Sequence, residues 1–150
     1  MKILSMPAGA PAPTGRLDIY KDGTQYLSLD NNYTASDPTT PVTFESDHIA
    51  VVNGASNVCI CGTTLPIDLT NYAAVHVIYK LNSGDLAPTI YINNAKTTTN
   101  YVTRGATGTS NTYVEATLDI SAITGDNYVF FATDHFNTNS DIKEIWLTEQ

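Results

Sequence analysis

The chain has 150 residues, with 7 Lys or Arg against 15 Asp or Glu, a formal net charge of −8 and only 15% charged residues. Its length suits one domain that buries roughly two thirds of its unfolded surface. The bases (Lys2, Arg16, Lys21, Lys80, Lys96, Arg104, Lys143) are scattered singly, which argues against nucleic acid, whose phosphates need clustered Lys and Arg. No apolar run reaches the ~20 residues that cross a bilayer, so no membrane insertion is expected.

The first residues, Met1-Lys-Ile-Leu-Ser-Met6, hold a shorter apolar stretch than the about 7–15 residues of a secretory signal. The expectation is a protein made in the cytoplasm that either stays there or leaves by lysis or inside an assembly. Residues 1–16 then carry Met6, Pro7, Pro11 and Pro13 among Ala and Gly, ending at Arg16. Prolines remove backbone donors and glycines loosen the chain, so this segment reads as an extended arm, either a disordered tail or an arm that docks on a neighbouring subunit. Residues 17–150 read as one β-sandwich domain.

Strand signals begin at Leu17 and Ile19 and lead into Lys21-Asp-Gly-Thr24, a hairpin turn. Residues 28–41, with Asp30-Asn-Asn32, Pro38 and Pro41, read as a long polar loop. Strands follow over 42–44, 48–52, 57–61, 74–81, 89–93, 101–104, 113–120, 127–133 and 142–147, separated by Asn- and Gly-rich turns. No window sustains the apolar spacing of a helix, so at most a single turn is expected, near 69–72 or 121–124. Short strands at this spacing make an antiparallel β-sandwich.

Alternation orients the strands. Val114, Ala116, Leu118 and Ile120 share one face, opposite Glu115, Thr117 and Asp119. Both faces are apolar over 127–133, which marks a central strand covered on both sides. In the last strand strict alternation groups Lys143, Ile145 and Leu147 against Ile142, Glu144 and Trp146. Trp146 either caps the core or faces outward as a contact.

Little in the chain suggests catalysis. Cys59 and Cys61, two apart in a strand, would make a strained disulfide and have no zinc partners nearby, so buried thiols are expected. His76 shares a face with Ala74 and Ile78 and reads as a hydrogen-bonded sheet histidine. No nucleophile elbow accompanies the histidines, and the acids lie at turns and on polar strand faces. No metal or other cofactor is expected; the candidates for a structural calcium are Asp126-Asn127 and Asn137 to Asp141. Sugar faces stack on aromatic rings, which singles out Tyr91, Tyr101, Tyr113 and Trp146 as glycan or partner contacts. The competing view is that tyrosines are ordinary sheet residues.

Leu118-Asp-Ile-Ser121, Gly125-Asp-Asn-Tyr-Val-Phe-Phe131 and Ile142-Lys-Glu-Ile-Trp-Leu147 resemble the jelly-roll module of bacteriophage virion surface and tail proteins. They are also similar to galactose-binding-like carbohydrate-binding modules, and Ile67-Asp-Leu-Thr-Asn-Tyr72 is an upstream echo of the same pattern. The resemblance implies an all-β, jelly-roll-like sandwich and a non-enzymatic structural protein on the virion, as a capsid decoration, head fibre or tail component. Other virion proteins would be its partners through the arm (Met6, Pro7, Pro11, Pro13, Arg16), and a homo-oligomer is expected. The alternative it implies is a carbohydrate-binding module that recognises a host surface glycan.

Overall fold

A computed structural model describes residues 15–34, 42–53, 59–83, 89–95, 101–104, 111–133 and 138–150. Thirteen strands are β1 (Arg16–Lys21), β2 (Thr24–Gln25), β3 (Leu29–Thr34), β4 (Val42–Phe44), β5 (Ile49–Asn53), β6 (Cys59–Thr63), β7 (Ile67–Asp68), β8 (Tyr72–Ser83), β9 (Thr89–Asn93), β10 (Tyr101–Arg104), β11 (Val114–Asp119), β12 (Asp126–Thr133) and β13 (Thr138–Glu149). All their pairings are antiparallel. Among the described residues there is no helix, and the protein is the expected antiparallel β-sandwich.

The larger, seven-stranded sheet runs β11-β8-β13-β1-β2, with β5 and β4 continuing beside β13. The six-stranded sheet runs β10-β9-β12-β6-β3, with β7 added to β12. β13 is the spine of the larger sheet. Residues 138–142 pair with β5 and residues 144–148 with β1, while β8 follows the other edge along almost the whole strand.

Alternation in β8 is regular: Val75, Val77, Tyr79 and Leu81 are buried, and His76, Ile78 and Lys80 lie on the opposite, outer face. Val75, Val77, Tyr79, Leu118, Ile142, Ile145 and Leu147 from the larger sheet meet Cys61, Ile90, Ile92, Val129 and Phe131 from the smaller one. Cys61 is a buried thiol of this core; the Cys59 side chain lies outside the described residues. On the smaller sheet's outer face Tyr91 and Phe130 form a second buried cluster, so β12 is covered on both sides as its sequence predicts.

Local chemistry sets the turns. Asp22 and Gly23 both have positive φ, 45° and 85°, and join Lys21 to its partner Thr24 in the tight hairpin expected of Asp-Gly. Asp68 Oδ1 accepts from the Thr70 backbone N–H and hydroxyl at 3.0 and 2.6 Å. Asp119 Oδ1 does the same for Ser121 at 2.9 and 2.7 Å. These matched turns drive Leu69 and Ile120 into the core and form single turns at both places where one is expected, closed by Tyr72 N–H to Leu69 O and Ile123 N–H to Ile120 O.

Three expectations are corrected. Residues 29–34, expected in a loop, form edge strand β3 on β6; an edge ladder bonds through the backbone and tolerates Asp30, Asn31 and Asn32. Residues 138–141, expected in a turn, begin β13, where Lys80 and Asn82 satisfy the buried Asp141 carboxylate. A β-bulge lies between Ile142 and Glu144, so strict alternation fails there: Ile142 joins Ile145 and Leu147 in the core, and Lys143 turns outward. Of the arm, only Gly15 and Arg16 are described, and Arg16 is the first residue of β1, opposite Thr148. Met6, Pro7, Pro11 and Pro13 lie outside the described residues, as do Asp134, His135 and Asn137.

Candidate functional site

The outer face of the larger sheet collects charged, polar and aromatic side chains among the described residues. Across the ladders, Thr117 lies opposite His76, His76 opposite Trp146, and Trp146 opposite Asp18. A parallel row runs from Glu115 through Ile78 and Glu144 to Lys21. Farther along, Lys80 lies opposite Asp141. Of the Lys and Arg residues, the side chains of Arg16, Lys21, Lys80 and Lys143 are described, and all stand on this face. Bases that are scattered in sequence converge here because alternate residues of adjacent strands share one side.

Each base has a carboxylate beside it. Arg16 meets Asp18 at 2.6 Å and Glu144 at 3.0 Å, Lys21 approaches Glu144 at 3.9 Å, Lys80 binds Asp141 at 2.8 Å, and Lys143 lies 3.7 Å from Asp22. Burial pushes the Asp141 carboxyl up, but hydrogen bonds from Lys80 and Asn82 and the nearby His48 bring it below the usual aspartate value. The Asp141 hydrogen bond in turn raises Lys80. Asp141 accepts from Lys80 through Oδ2 and from Asn82 through Oδ1. Among the described residues no three His, Cys, Asp or Glu converge as metal ligands.

Two aromatic features define the face. Tyr113, at the entrance to β11, is 38% exposed, with the Lys80 and Lys143 ammoniums 5.1 and 5.3 Å from its ring centroid. Burial of part of the ring raises the phenol above its ordinary pKa. Trp146 is outside both apolar clusters, because Ile145 and Leu147 on either side of it point inward. It is nevertheless only 7% exposed. His76 stacks on it with centroids 4.8 Å apart and planes 5° apart, and the Arg16 guanidinium sits 4.2 Å from the ring centroid. His76 is the hydrogen-bonded sheet histidine expected, with Nδ1 2.8 Å from Glu115 Oε1 and Nε2 3.1 Å from Thr148 Oγ1.

Of the four aromatic residues predicted as contacts, Tyr113 and Trp146 therefore share one face. Tyr91 lies on the other sheet, 3% exposed and stacked on Phe130 at 5.3 Å. Tyr101 pairs with it across the β9–β10 ladder, and its side chain lies outside the described residues. Lys80, Lys143, Arg16, Asp141 and Glu144 were not singled out in sequence as parts of one face. The signal for them is their outward register on β1, β8 and β13, which needs the strand pairing and the bulge.

No protein-family model matches the chain, nor does any curated protein sequence. Among solved structures, a Glu-to-Arg mutant of a family 29 carbohydrate-binding module matches with a TM-score of 0.63 at 13% identity, over 89% of this chain and 90% of that one. A family 29 module from Piromyces equi gives 0.61 at 10% identity over 90% of each chain. An Asp-to-Ala mutant of a family 29 module complexed with mannohexaose gives 0.62 at 13% identity, over 89% and 90%. At these identities the likeness is one of fold: the chain shares the β-sandwich of carbohydrate-binding modules.

Proposed function

We propose that the protein is a glycan-binding module rather than an enzyme, and that the outer face of the larger sheet, centred on Tyr113, is its binding surface. The observation that carries this reading is a half-exposed aromatic ring set among ion-paired polar side chains on a sandwich of the carbohydrate-binding-module type. A pyranose has an apolar C–H face that stacks on an aromatic ring and hydroxyls that both donate and accept. Lys80 and Lys143 supply donors, and Asp22, Glu115 and Glu144 supply acceptors, without a net field of one sign. A chain of net charge −8 also favours a neutral ligand over a polyanion.

The virion role implied by the sequence resemblance draws its support from those motifs alone, whereas the fold likeness supports the glycan reading. Isothermal titration against neutral oligosaccharides selected on a glycan array tests it. Wild-type protein should bind, and Tyr113→Ala should lose ~10-fold or more in affinity, the scale of a lost aromatic contact. A blank array with folded wild-type protein, or full affinity in Tyr113→Ala, would sink the assignment.

A further inference from the structure

We propose that Trp146 is a second sugar-stacking subsite on this face, closed by the Arg16 guanidinium, which an incoming glycan displaces. The inference rests on the glycan-binding reading of the outer face and adds a place and a device to it. Trp146 points away from the core, yet its cover is not the aliphatic packing of a core residue. Among the described residues two side chains from the strands flanking β13 lie against its ring, His76 from β8 and Arg16 from β1.

The two covers differ in how firmly they are held. His76 sits in the middle of β8, stacked nearly parallel to the indole and fixed through both ring nitrogens by Glu115 and Thr148. Arg16 is the first residue of β1, and its side chain is 30% exposed. Its holds are a cation–π contact and ion pairs to partly exposed Asp18 and Glu144, interactions that solvent and salt weaken. Arg16 is thus the side that opens.

Once the guanidinium swings aside, the uncovered indole lies between two carboxylates freed of their partner. Asp18 and Glu144 then accept sugar hydroxyls while the sugar's C–H face meets the ring. The place suits an extended chain. His76 and Lys80, which mark the Trp146 and Tyr113 rows, are about 14 Å apart along β8. Half-buried Ile78 forms an apolar floor on the same face between them. One oligosaccharide can cross Tyr113, Ile78 and Trp146.

Trp146 is the chain's one tryptophan, so its fluorescence reports this subsite alone. The probes are mannohexaose, cellohexaose and xylohexaose, titrated by calorimetry and by tryptophan emission with acrylamide quenching. In Arg16→Gln the indole should be more open to acrylamide, a hexasaccharide should restore its protection, and Kd should tighten roughly three- to tenfold. Glu144→Gln loosens the tether while keeping the guanidinium and an amide oxygen that still accepts a sugar hydroxyl, and should shift Kd the same way even if the Arg16 variant folds poorly. Silent emission at saturation, or unchanged or weaker binding in both variants, overturns the subsite. If Tyr113→Ala still loses ~10-fold or more in affinity in that case, the platform reading stands without it. Failure of wild type and both variants to bind any of the three sugars overturns both.

Discussion

Phe130 lies so close across the ladder from Gly62 that a Cβ on the glycine would overlap the Cβ and Cα of Phe130 and crowd the Val129 carbonyl. Gly62 is therefore what lets β6 approach the central strand of the smaller sheet. Gly62→Ala should destabilise the protein by about 1–3 kcal/mol, the usual range for overpacking. A shift of the urea midpoint measures it. Because the obstruction is at Cβ and backbone, Phe130→Ala should not rescue it, and a double mutant as stable as Phe130→Ala alone would refute the steric account.

Asp68, Asp119 and Asp141 are all held below the usual aspartate value of 3.8, the first two by hydrogen bonds from Thr70 and Ser121 and the third by Lys80, Asn82 and His48 against the opposing effect of burial. A depressed carboxyl binds fewer protons in the native state than in the unfolded chain. Its stabilisation is therefore complete above the unfolded value and is lost as pH falls through the native one. Urea unfolding should show stability independent of these groups from neutral pH down to about 5, then a decline below 3.8. Asp141→Asn should be less stable at pH 7, on the order of 1 kcal/mol for a screened pair, and should show a shallower acid decline. An unchanged acid slope in Asp141→Asn would assign the decline to other carboxylates.

The matched turns at Asp68 and Asp119 yield a ranking. Asp119→Ala removes both hydrogen bonds to Ser121, whereas Ser121→Ala removes only the hydroxyl donor and leaves the backbone N–H in place. The melting temperature should fall further for Asp119→Ala than for Ser121→Ala, and Asp68→Ala should likewise exceed Thr70→Ala unless the second bond of Thr70, to the Gly125 N–H, dominates. Equal effects at Asp119 and Ser121 would mean that the turn is held by packing of Ile120 alone.

How much of this was legible in the sequence depends on what decides each feature. The Asp22-Gly23 hairpin and the doubly covered β12 are local, and sequence reasoning reached them; it placed a single turn near 69–72 or 121–124 without reading the Asp68–Thr70 and Asp119–Ser121 bonds that hold both. The strand over 29–34 was hidden because an edge ladder asks little of its side chains. The start of β13 was hidden because Asp141 looks like a turn residue until Lys80 and Asn82, distant in sequence, are brought beside it. The site suffered most. Tyr113 and Trp146 stood out as aromatic residues, but their shared face, and the covering of Trp146 by Arg16 and His76, exist only once β1 and β8 flank β13.

Lys143 tests that last point directly. β13 passes from β5 to β1 at this residue, and Lys143 and Glu144 both face outward across the bulge. Deleting Lys143 leaves Ile142 followed by Glu144, Ile145, Trp146 and Leu147, which restores regular alternation with every core residue still inward. The deletion loses the hydrogen bond from the Asp22 N–H to the Lys143 carbonyl and the pair with Asp22, so a cost of about 1–2 kcal/mol is expected with the fold retained. Deleting Trp146 instead would carry Leu147, which is fully buried, to the outer face, and a one-residue slip of this kind reverses all that follows it. Far-UV circular dichroism and urea unfolding should find the Lys143 deletion folded and the Trp146 deletion severely destabilised. The reverse order would show that the bulge is not where β13 changes face.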